Sequence, residues 1–377
     1  MQIALLDIIN FIAMFQLSVF IFFLLRKKSL RQSNNILAFF LFIQILLINN
    51  YEIHHNKDYV LNFTPHLFFI GVVFIYLAGP TFYLYVNSLV YRDFRLNKGH
   101  LLHAIPFFIM LLIFITNYHI YSSETKLSLI KGNNVLTSTF WIVFNILFLI
   151  QILVYFIVDL HILKKYSSEI KQQYSSVKNI NLNWLKLIIY GFIAGWLSSV
   201  AVLIGGALIT HILNELVFIN FFTFFIFFNI IYYKGFAQPE IFSGIEDRQK
   251  YVSSKLSDLE AKSYLACLLE FMDSKKPFLN PTLTLKELAG QVGIPARYLS
   301  QVINEYTRLN FYDFISQYRI EEAKRILAEP LTNKTVLEVL YEVGFNSKSS
   351  FNTAFKKFTG VTPTHFKRKK RIQEAVY

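Results

Sequence analysis

Seven apolar runs fill the first 233 residues of this chain, and most are long enough to cross a lipid bilayer as a helix. A spanning helix needs about 20 apolar residues, whereas a soluble protein keeps its apolar residues in shorter periodic patches. The last two runs are separated only by Asn214 and Glu215, but one helix of about 50 residues would overrun the bilayer. The runs are Ala4–Leu25, Ile36–Ile48, Pro65–Tyr91, Leu101–Tyr118, Thr137–Leu163, Trp184–Leu213 and Leu216–Tyr233.

Loop charge gives these runs an orientation. If the N-terminus lies outside, the inner loops carry the cations Arg26, Lys27, Lys28, Arg31, Arg92, Arg95, Lys98, Lys164, Lys165, Lys171 and Lys178. The outer loops then carry only Lys57, Lys126 and Lys131. Cytoplasmic loops are enriched in Lys and Arg, so the bias fits an odd number of spans and places everything after Tyr233 in the cytoplasm. No small-residue cleavage site follows the first run, which we expect to be a retained helix.

Few polar or ionisable groups interrupt the runs. We expect the amides to face the interior of the bundle, as helix-to-helix hydrogen bonds or, alternatively, as ligand contacts: Gln16, Gln44, Asn87, Asn145 and Gln151. Asp7 and Asp159 lie near helix ends, where we expect water or headgroups to reach them, and no buried acidic pair is evident. The histidines are scattered, and Cys267 is the sole cysteine, so we predict neither a metal site nor another cofactor.

Composition changes after Tyr233. Residues 234–262 mix charged residues with Pro and Gly, which predicts a cytoplasmic linker before a domain at 263–371 and a tail at 372–377. Residues 244–377 hold 21 Lys or Arg against 15 Asp or Glu, a charge-dense and basic balance that suits a polyanion. An apolar stripe beginning at Tyr264 predicts a helix that packs on this domain.

A helix-turn-helix pattern begins at Thr284. This residue precedes the helix Leu285–Val292, and Glu287 three positions on completes a capping-box spacing. Ala289 is small where two helices must cross, and Gly293 supplies the backbone angle that ends the helix. The next helix, from Ala296 to Asn304, is apolar on one face, and we expect its other face to carry Arg297, Ser300, Gln301 and Asn304.

The same pattern returns about fifty residues later. An apolar helix over Val336–Val343 is followed by a turn at Gly344 and Phe345, and then by a helix over Lys348–Phe358. Phe351, Phe355 and Phe358 recur at helical spacing on the core face, which leaves Lys348, Ser349, Asn352, Thr353, Lys356 and Lys357 on the other. A long helix over Tyr312–Leu327 connects the units, which would let both enter successive major grooves about 34 Å apart. The basic run from Lys367 to Arg371 suits phosphates.

These motifs, in this order, resemble the DNA-binding domain of the AraC/XylS family of bacterial transcription activators. The resemblance covers about residues 265–370 and rests on Leu285–Gly293, Arg319–Lys324, Glu342–Phe345, Phe351, Phe355–Phe358 and Gly360–Pro363. It implies base contacts by Arg297, Ser300, Gln301, Lys348, Ser349, Ser350 and Thr353, with RNA polymerase as a partner. Two departures stand out, since Leu340 replaces a usual small alanine and Thr353 a usually longer side chain.

The combined prediction is an all-α protein, with a seven-helix transmembrane bundle over 1–233 followed by two helix-turn-helix units joined by a long helix. We expect no enzyme but a regulator anchored in a bacterial inner membrane that binds promoter DNA in response to an unidentified stimulus. A homodimer is one form in which we expect it to bind. The predicted DNA-binding residues are Arg297, Ser300, Gln301, Lys348, Ser349, Ser350, Asn352, Thr353 and Lys356, and the predicted structural residues are Ala289, Gly293, Gly344, Phe345, Phe351, Phe355 and Pro363. The alternative is a transporter or receptor whose tail binds a protein.

Overall fold

The computed structural model describes residues 5–27, 31–91, 94–132, 135–176, 183–208, 212–237, 256–329 and 333–375. Throughout this part of the chain the regular structure is helical, which confirms the all-α prediction. The chain divides into two compact units. The first contains Met1–Leu163 and Leu182–Glu246, and the second contains Lys164–Asn181 and Asp247–Tyr377. The described residues 164–176, which the sequence pattern places in the first domain, group with the second unit.

The first unit consists mainly of long apolar helices. They are α1 (Leu5–Arg26), α2 (Arg31–His55), α3 (Lys57–Leu61), α4 (Ile75–Val90), α5 (Ile105–Phe114), α6 (Ser123–Lys131), the first part of α7 (Ser138–Gln173), α8 (Asn183–Leu208) and α9 (Leu213–Ala237). Among the described residues, seven helical segments are long and apolar enough to cross a membrane, each corresponding to one predicted run. The second is 25 residues long, because helix α2 continues through polar residues at both ends of the short run.

The outer surface of this unit is apolar. Phe15 of α1 is 71% exposed, Leu112 of α5 is 62% exposed and Ile157 of α7 is 60% exposed. A soluble helix instead turns its apolar face inward and its polar face to water. The pattern is therefore the one that a lipid environment favours.

The amides of these helices divide between two roles. Gln16 donates to the Asn229 side chain at 3.1 Å, and Gln151 donates to the Tyr76 carbonyl at 3.2 Å, so both join separate helices as expected. Asn87 and Asn145 differ from that expectation, because each donates to the carbonyl four residues earlier in its own helix. A bond of this kind lies within one helix, so it does not itself join two helices.

Buried acids correct one prediction. Asp7 and Asp159 are 2% and 0% exposed, so the expectation that water or headgroups reach them is wrong. Asp7 also shares a side-chain hydrogen bond with Glu52, which is buried as well. Asn10 donates to Glu52 at 2.6 Å, and the His55 Nε2 atom lies 3.9 Å from the Asp7 Oδ1 atom. A buried acidic pair therefore joins α1 to the end of α2, where sequence spacing showed none.

The second unit contains seven helices of its own among the residues described. They are α10 (Asp258–Lys275), α11 (Leu285–Val292), α12 (Ala296–Val302), α13 (Phe311–Leu327), α14 (Val336–Glu342), α15 (Lys348–Thr359) and α16 (Pro363–Ala375). Helix α10 begins at a capping box in which Ser257 and Glu260 bond each other's backbone. Leu268 and Met272 of its predicted apolar stripe are fully buried, whereas Leu269 of the same stripe is 37% exposed.

Among the described residues of this unit, two hydrophobic clusters are formed, and α13 contributes to both. Phe311, Phe314 and Ile315 lie in the cluster of α10, α11 and α12. Ile320, Ala323 and Leu327, further along the same helix, lie in the cluster of α14 and α15. Each helix pair thus has its own core, and α13 holds the two cores together.

Candidate DNA-binding surface

The first helix-turn-helix unit is set by local hydrogen bonds. The Thr284 hydroxyl accepts from the Glu287 N–H at 3.2 Å, and the Glu287 carboxylate accepts from the Thr284 N–H at 2.9 Å. Gly293 then adopts a left-handed φ of 77°, and the Ile294 N–H donates to the Ala289 carbonyl at 3.0 Å. These bonds satisfy groups that a helix end leaves unpaired, so the turn between α11 and α12 follows directly from the sequence.

Helix α12 presents fewer polar groups than we expected. Arg297 is exposed, and its guanidinium lies 5.7 Å from the centre of the Tyr298 ring. Gln301 is half-buried and donates to Glu305 at 3.0 Å, a bond that it must exchange to reach a base. Ser300 is only 7% exposed, so the prediction that it faces outward is wrong. Its small hydroxyl fits the packed side of the helix next to Leu299 and Val302, both fully buried.

The second unit repeats the design. Thr335 and Glu338 form a capping box at the start of α14, which we had not identified from the sequence. Gly344 follows α14 with a φ of 88°, and Phe345 behind it is 3% exposed. Ser347 then caps α15, because its hydroxyl accepts from the Ser350 N–H at 3.2 Å.

Helix α15 separates its faces cleanly. Phe351 and Phe355 are fully buried, whereas Lys348, Ser349, Thr353 and Lys356 are exposed. Asn352 and Ser350 are half-buried, and the Ser350 hydroxyl lies 2.8 Å from that of Ser347. Lys357 pairs with Asp313 of α13 at 2.7 Å, so it holds α15 to the connecting helix. The exposed row is therefore cationic and polar, the composition needed to contact phosphates and base edges.

Arg319 contacts both the segment that enters the first helix-turn-helix unit and the turn of the second. Sequence reasoning did not single it out as a functional residue. It is 1% exposed, and its guanidinium donates to the carbonyls of Phe278 and Asn280 at 2.7 Å each. The same group lies 5.5 Å from the centre of the Phe345 ring. Burial lowers the pKa of Arg319 to about 10, which still leaves it protonated at neutral pH. Its position in a motif could have marked it, but spacing alone gives no sign that it is buried.

A basic helix closes the unit. Helix α16 begins at the buried Pro363, and Arg368 and Lys369 are exposed on it. Lys367 donates to the Lys334 carbonyl and so fixes the start of α14 as well. The side chains of Lys370 and Arg371, which belong to the predicted basic run, lie outside the described part of the structure. In the described residues no group of three His, Cys, Asp or Glu side chains is placed to hold a metal ion.

Comparison with known proteins gives a family match that lies within this second unit. Residues 288–369 match the family described as "Helix-turn-helix domain". An uncharacterised HTH-type transcriptional regulator of Pseudoalteromonas carrageenovora is 38% identical over 86 residues, 23% of this chain and 49% of that protein. The melibiose operon regulatory protein of Escherichia coli is 25% identical over 108 residues, 29% of this chain and 34% of that one. The matches support a helix-turn-helix domain over residues 288–369.

Each match spans half or less of these relatives' own length. Among solved structures, the C-terminal domain of AraT, a response regulator from Geobacillus stearothermophilus, is 28% identical. It covers 31% of this chain and 88% of that chain with a TM-score of 0.24.

Proposed function

We propose that this protein is a membrane-anchored one-component transcriptional regulator that binds promoter DNA through α12 and α15. The observation that carries the proposal is the exposed cationic and polar row of α15, held with α12 on one connecting helix. Arg297 and Lys348 are the cations at the starts of these two helices, and both are exposed. Helix N-terminal residues are those that reach base edges in helix-turn-helix proteins.

The anchor in this proposal is the set of apolar helices in the first unit. Seven segments of the described chain have the length and composition to cross a bilayer, and they expose large apolar side chains. The positive-inside bias of the loops supports a second unit in the cytoplasm, and the cytoplasm is the compartment that holds the chromosome. Lipid would cover the apolar faces, and a stimulus would act by binding one arrangement of the helices better than another.

The residues proposed to read DNA fall into two groups. Arg297, Lys348 and Ser349 stand where a base edge is in reach, and a bidentate contact from Arg297 to guanine would discriminate between sequences. Lys356, Arg368 and Lys369 suit phosphates, which position the protein without reading sequence. Gln301, Ser350, Asn352 and Thr353 complete the proposed set, and Ser300 contributes only after a change in packing. RNA polymerase contact and dimer formation belong to the same proposal.

The test captures chromosomal DNA bound by the full-length protein in its native membrane and sequences it. We expect enriched promoter sites that disappear when Arg297→Glu and Lys348→Glu are combined, while membrane insertion is unchanged. Lys262→Glu is the matched control, since Lys262 is an exposed cation on α10 that pairs with Asp258. Inserted protein with no enriched site would instead favour a transporter or receptor whose tail binds a protein.

A further inference from the structure

A three-residue segment after α7 is packed into the second unit. Residues 174–176 follow the end of α7 at Gln173, and Ser175 is 1% exposed. The Ser175 N–H donates to the Leu283 carbonyl at 3.1 Å, and Tyr174 pairs with Thr284 in an isolated antiparallel bridge. The segment therefore lies in extended form against the entry to α11.

The same serine completes the hydrogen bonding of Arg319. The Ser175 carbonyl accepts from Nη1 of Arg319 at 3.1 Å, and the Ser175 hydroxyl accepts from Nη2 at 3.2 Å. The other acceptors of this guanidinium are the Phe278 and Asn280 carbonyls. A buried cation needs its donors paired, so removal of residues 174–176 leaves part of a desolvated guanidinium without acceptors.

The segment also reaches the second helix-turn-helix unit. The Ser176 hydroxyl donates to Oδ1 of Asn346 at 3.0 Å. Asn346 directly precedes Ser347, the residue that caps α15. One short stretch of chain thus touches the entry of α11, the connecting helix α13 and the entry of α15. Such contacts restrain the distance between the two helix-turn-helix units.

We infer that residues 174–176 are a built-in peptide ligand of the cleft formed by Leu283, Thr284, Arg319 and Asn346. Their docking fixes the spacing of α12 and α15, and so holds the second unit in the form that binds DNA. Helix α7 is continuous from Ser138 to Gln173, so this segment follows directly on a helix that begins in the apolar part of the chain. The effect on DNA affinity rests on the proposed function, whereas the docking itself does not.

The docking is tested by cross-linking in the full-length protein in membranes. In a Cys267→Ser background, Ser176→Cys and Asn346→Cys are combined, and a protease site is inserted after Gly244 between the two positions. A short bismaleimide is expected to keep the cleaved halves together. The control pair combines Ser168→Cys with Asn346→Cys, because Ser168 is exposed and lies about 9 Å back along the helix axis from Tyr174. Halves that separate in the first pair, or stay joined equally in both, overturn the docking.

The coupling to DNA is tested by affinity. Ser175→Arg places a second cation beside Arg319 in a space that holds a serine, whereas Ser168→Arg makes the same change at an exposed site. We expect the full-length Ser175→Arg protein in nanodiscs to bind its captured promoter at least about fivefold more weakly, and Ser168→Arg to match the parent protein. Equal affinities for the two variants overturn the coupling, and tighter binding by Ser175→Arg shows an inhibitory contact instead. A parent protein that binds no DNA but gives the cross-link refutes the proposed function and leaves the docking intact.

Discussion

Gly344 lies so close to Leu279 that a β-carbon at position 344 would stand 2.7 Å from the Leu279 carbonyl oxygen. The Phe278 carbonyl oxygen would be 2.8 Å away, and both are backbone atoms that cannot rotate aside. The turn of the second helix-turn-helix unit therefore rests on the segment that enters the first. This approach explains why glycine is required at position 344 for packing as well as for its φ of 88°.

Gly344→Ala is expected to lower the free energy of unfolding of the second unit by at least about 2 kcal/mol, from left-handed strain together with the clash. Gly293→Ala carries the strain alone, because nothing lies within 4 Å of its β-carbon position, and should cost less. Gly290→Ala is the control that should be neutral or slightly stabilising, since it adds a good helix former in open space. Hydrogen exchange of α11, α12, α14 and α15 in the full-length protein measures all three. Equal protection in the Gly344 and Gly293 variants would show that the close approach is absent.

Arg319→Lys should destabilise the second unit although the charge is retained. Lysine has three donors on a single nitrogen and cannot reproduce the planar fork that donates to Phe278 through Nε and to Asn280 through Nη2. Loss of one or more buried hydrogen bonds predicts a cost of about 2 kcal/mol. Arg325→Lys is the matched control, because Arg325 is exposed and its described partners are the Glu322 and Glu329 carboxylates rather than buried carbonyls. Thermal unfolding followed by hydrogen exchange of α13 compares the two, and equal losses would contradict the role given to Arg319.

Glu322 predicts how stability changes with pH. A hydrogen bond from Arg325 first, and one from Lys276 second, lower the pKa of Glu322 below its ordinary value. A depressed folded-state pKa stabilises the protein above the ordinary carboxyl pKa, and this stability is lost as pH falls through the lowered value. Glu322→Gln should therefore cost about 1 kcal/mol at neutral pH and nothing in strong acid. Glu321→Gln removes an exposed carboxylate paired with Lys324 and serves as control. A Glu322→Gln deficit that persists unchanged at low pH would rule out this pairing as its cause.

Much of the second unit could be predicted because its signals are local. Capping residues, a left-handed glycine and a helical period act over a few positions, so the bounds of α11 and α13 follow from the sequence closely. The prediction for Ser300 was wrong because a small polar residue at the border between the apolar and polar faces of a helix fits on either face. The packing decides which face it joins. The docking of Ser175 could not be foreseen, since it joins residues 144 positions apart and depends on a buried guanidinium. The pairing of Asp7 with Glu52 was missed for the same reason of distance in sequence.

The roles of Arg297 and Lys356 can be separated by DNA binding. Arg297→Ala should cost about 1–3 kcal/mol on the preferred site and relax discrimination at one base pair, as loss of a base contact does. Lys356→Ala should weaken binding to all sequences about equally and reduce the salt dependence by about one counterion. Affinities of the full-length protein for the preferred and a scrambled site, at several salt concentrations, provide the measurement. The reverse pattern would exchange the two assignments.

Flotation of vesicles measures directly whether the lipid-embedded protein binds double-stranded DNA. Full-length protein is reconstituted into liposomes, mixed with a labelled promoter fragment and centrifuged through a density gradient. We predict that the DNA rises with the vesicles at low salt, is released as salt increases, and stays at the bottom with the Arg297→Glu, Lys348→Glu protein. DNA that remains at the bottom with correctly inserted parent protein, its second unit outside the vesicle, would contradict the account.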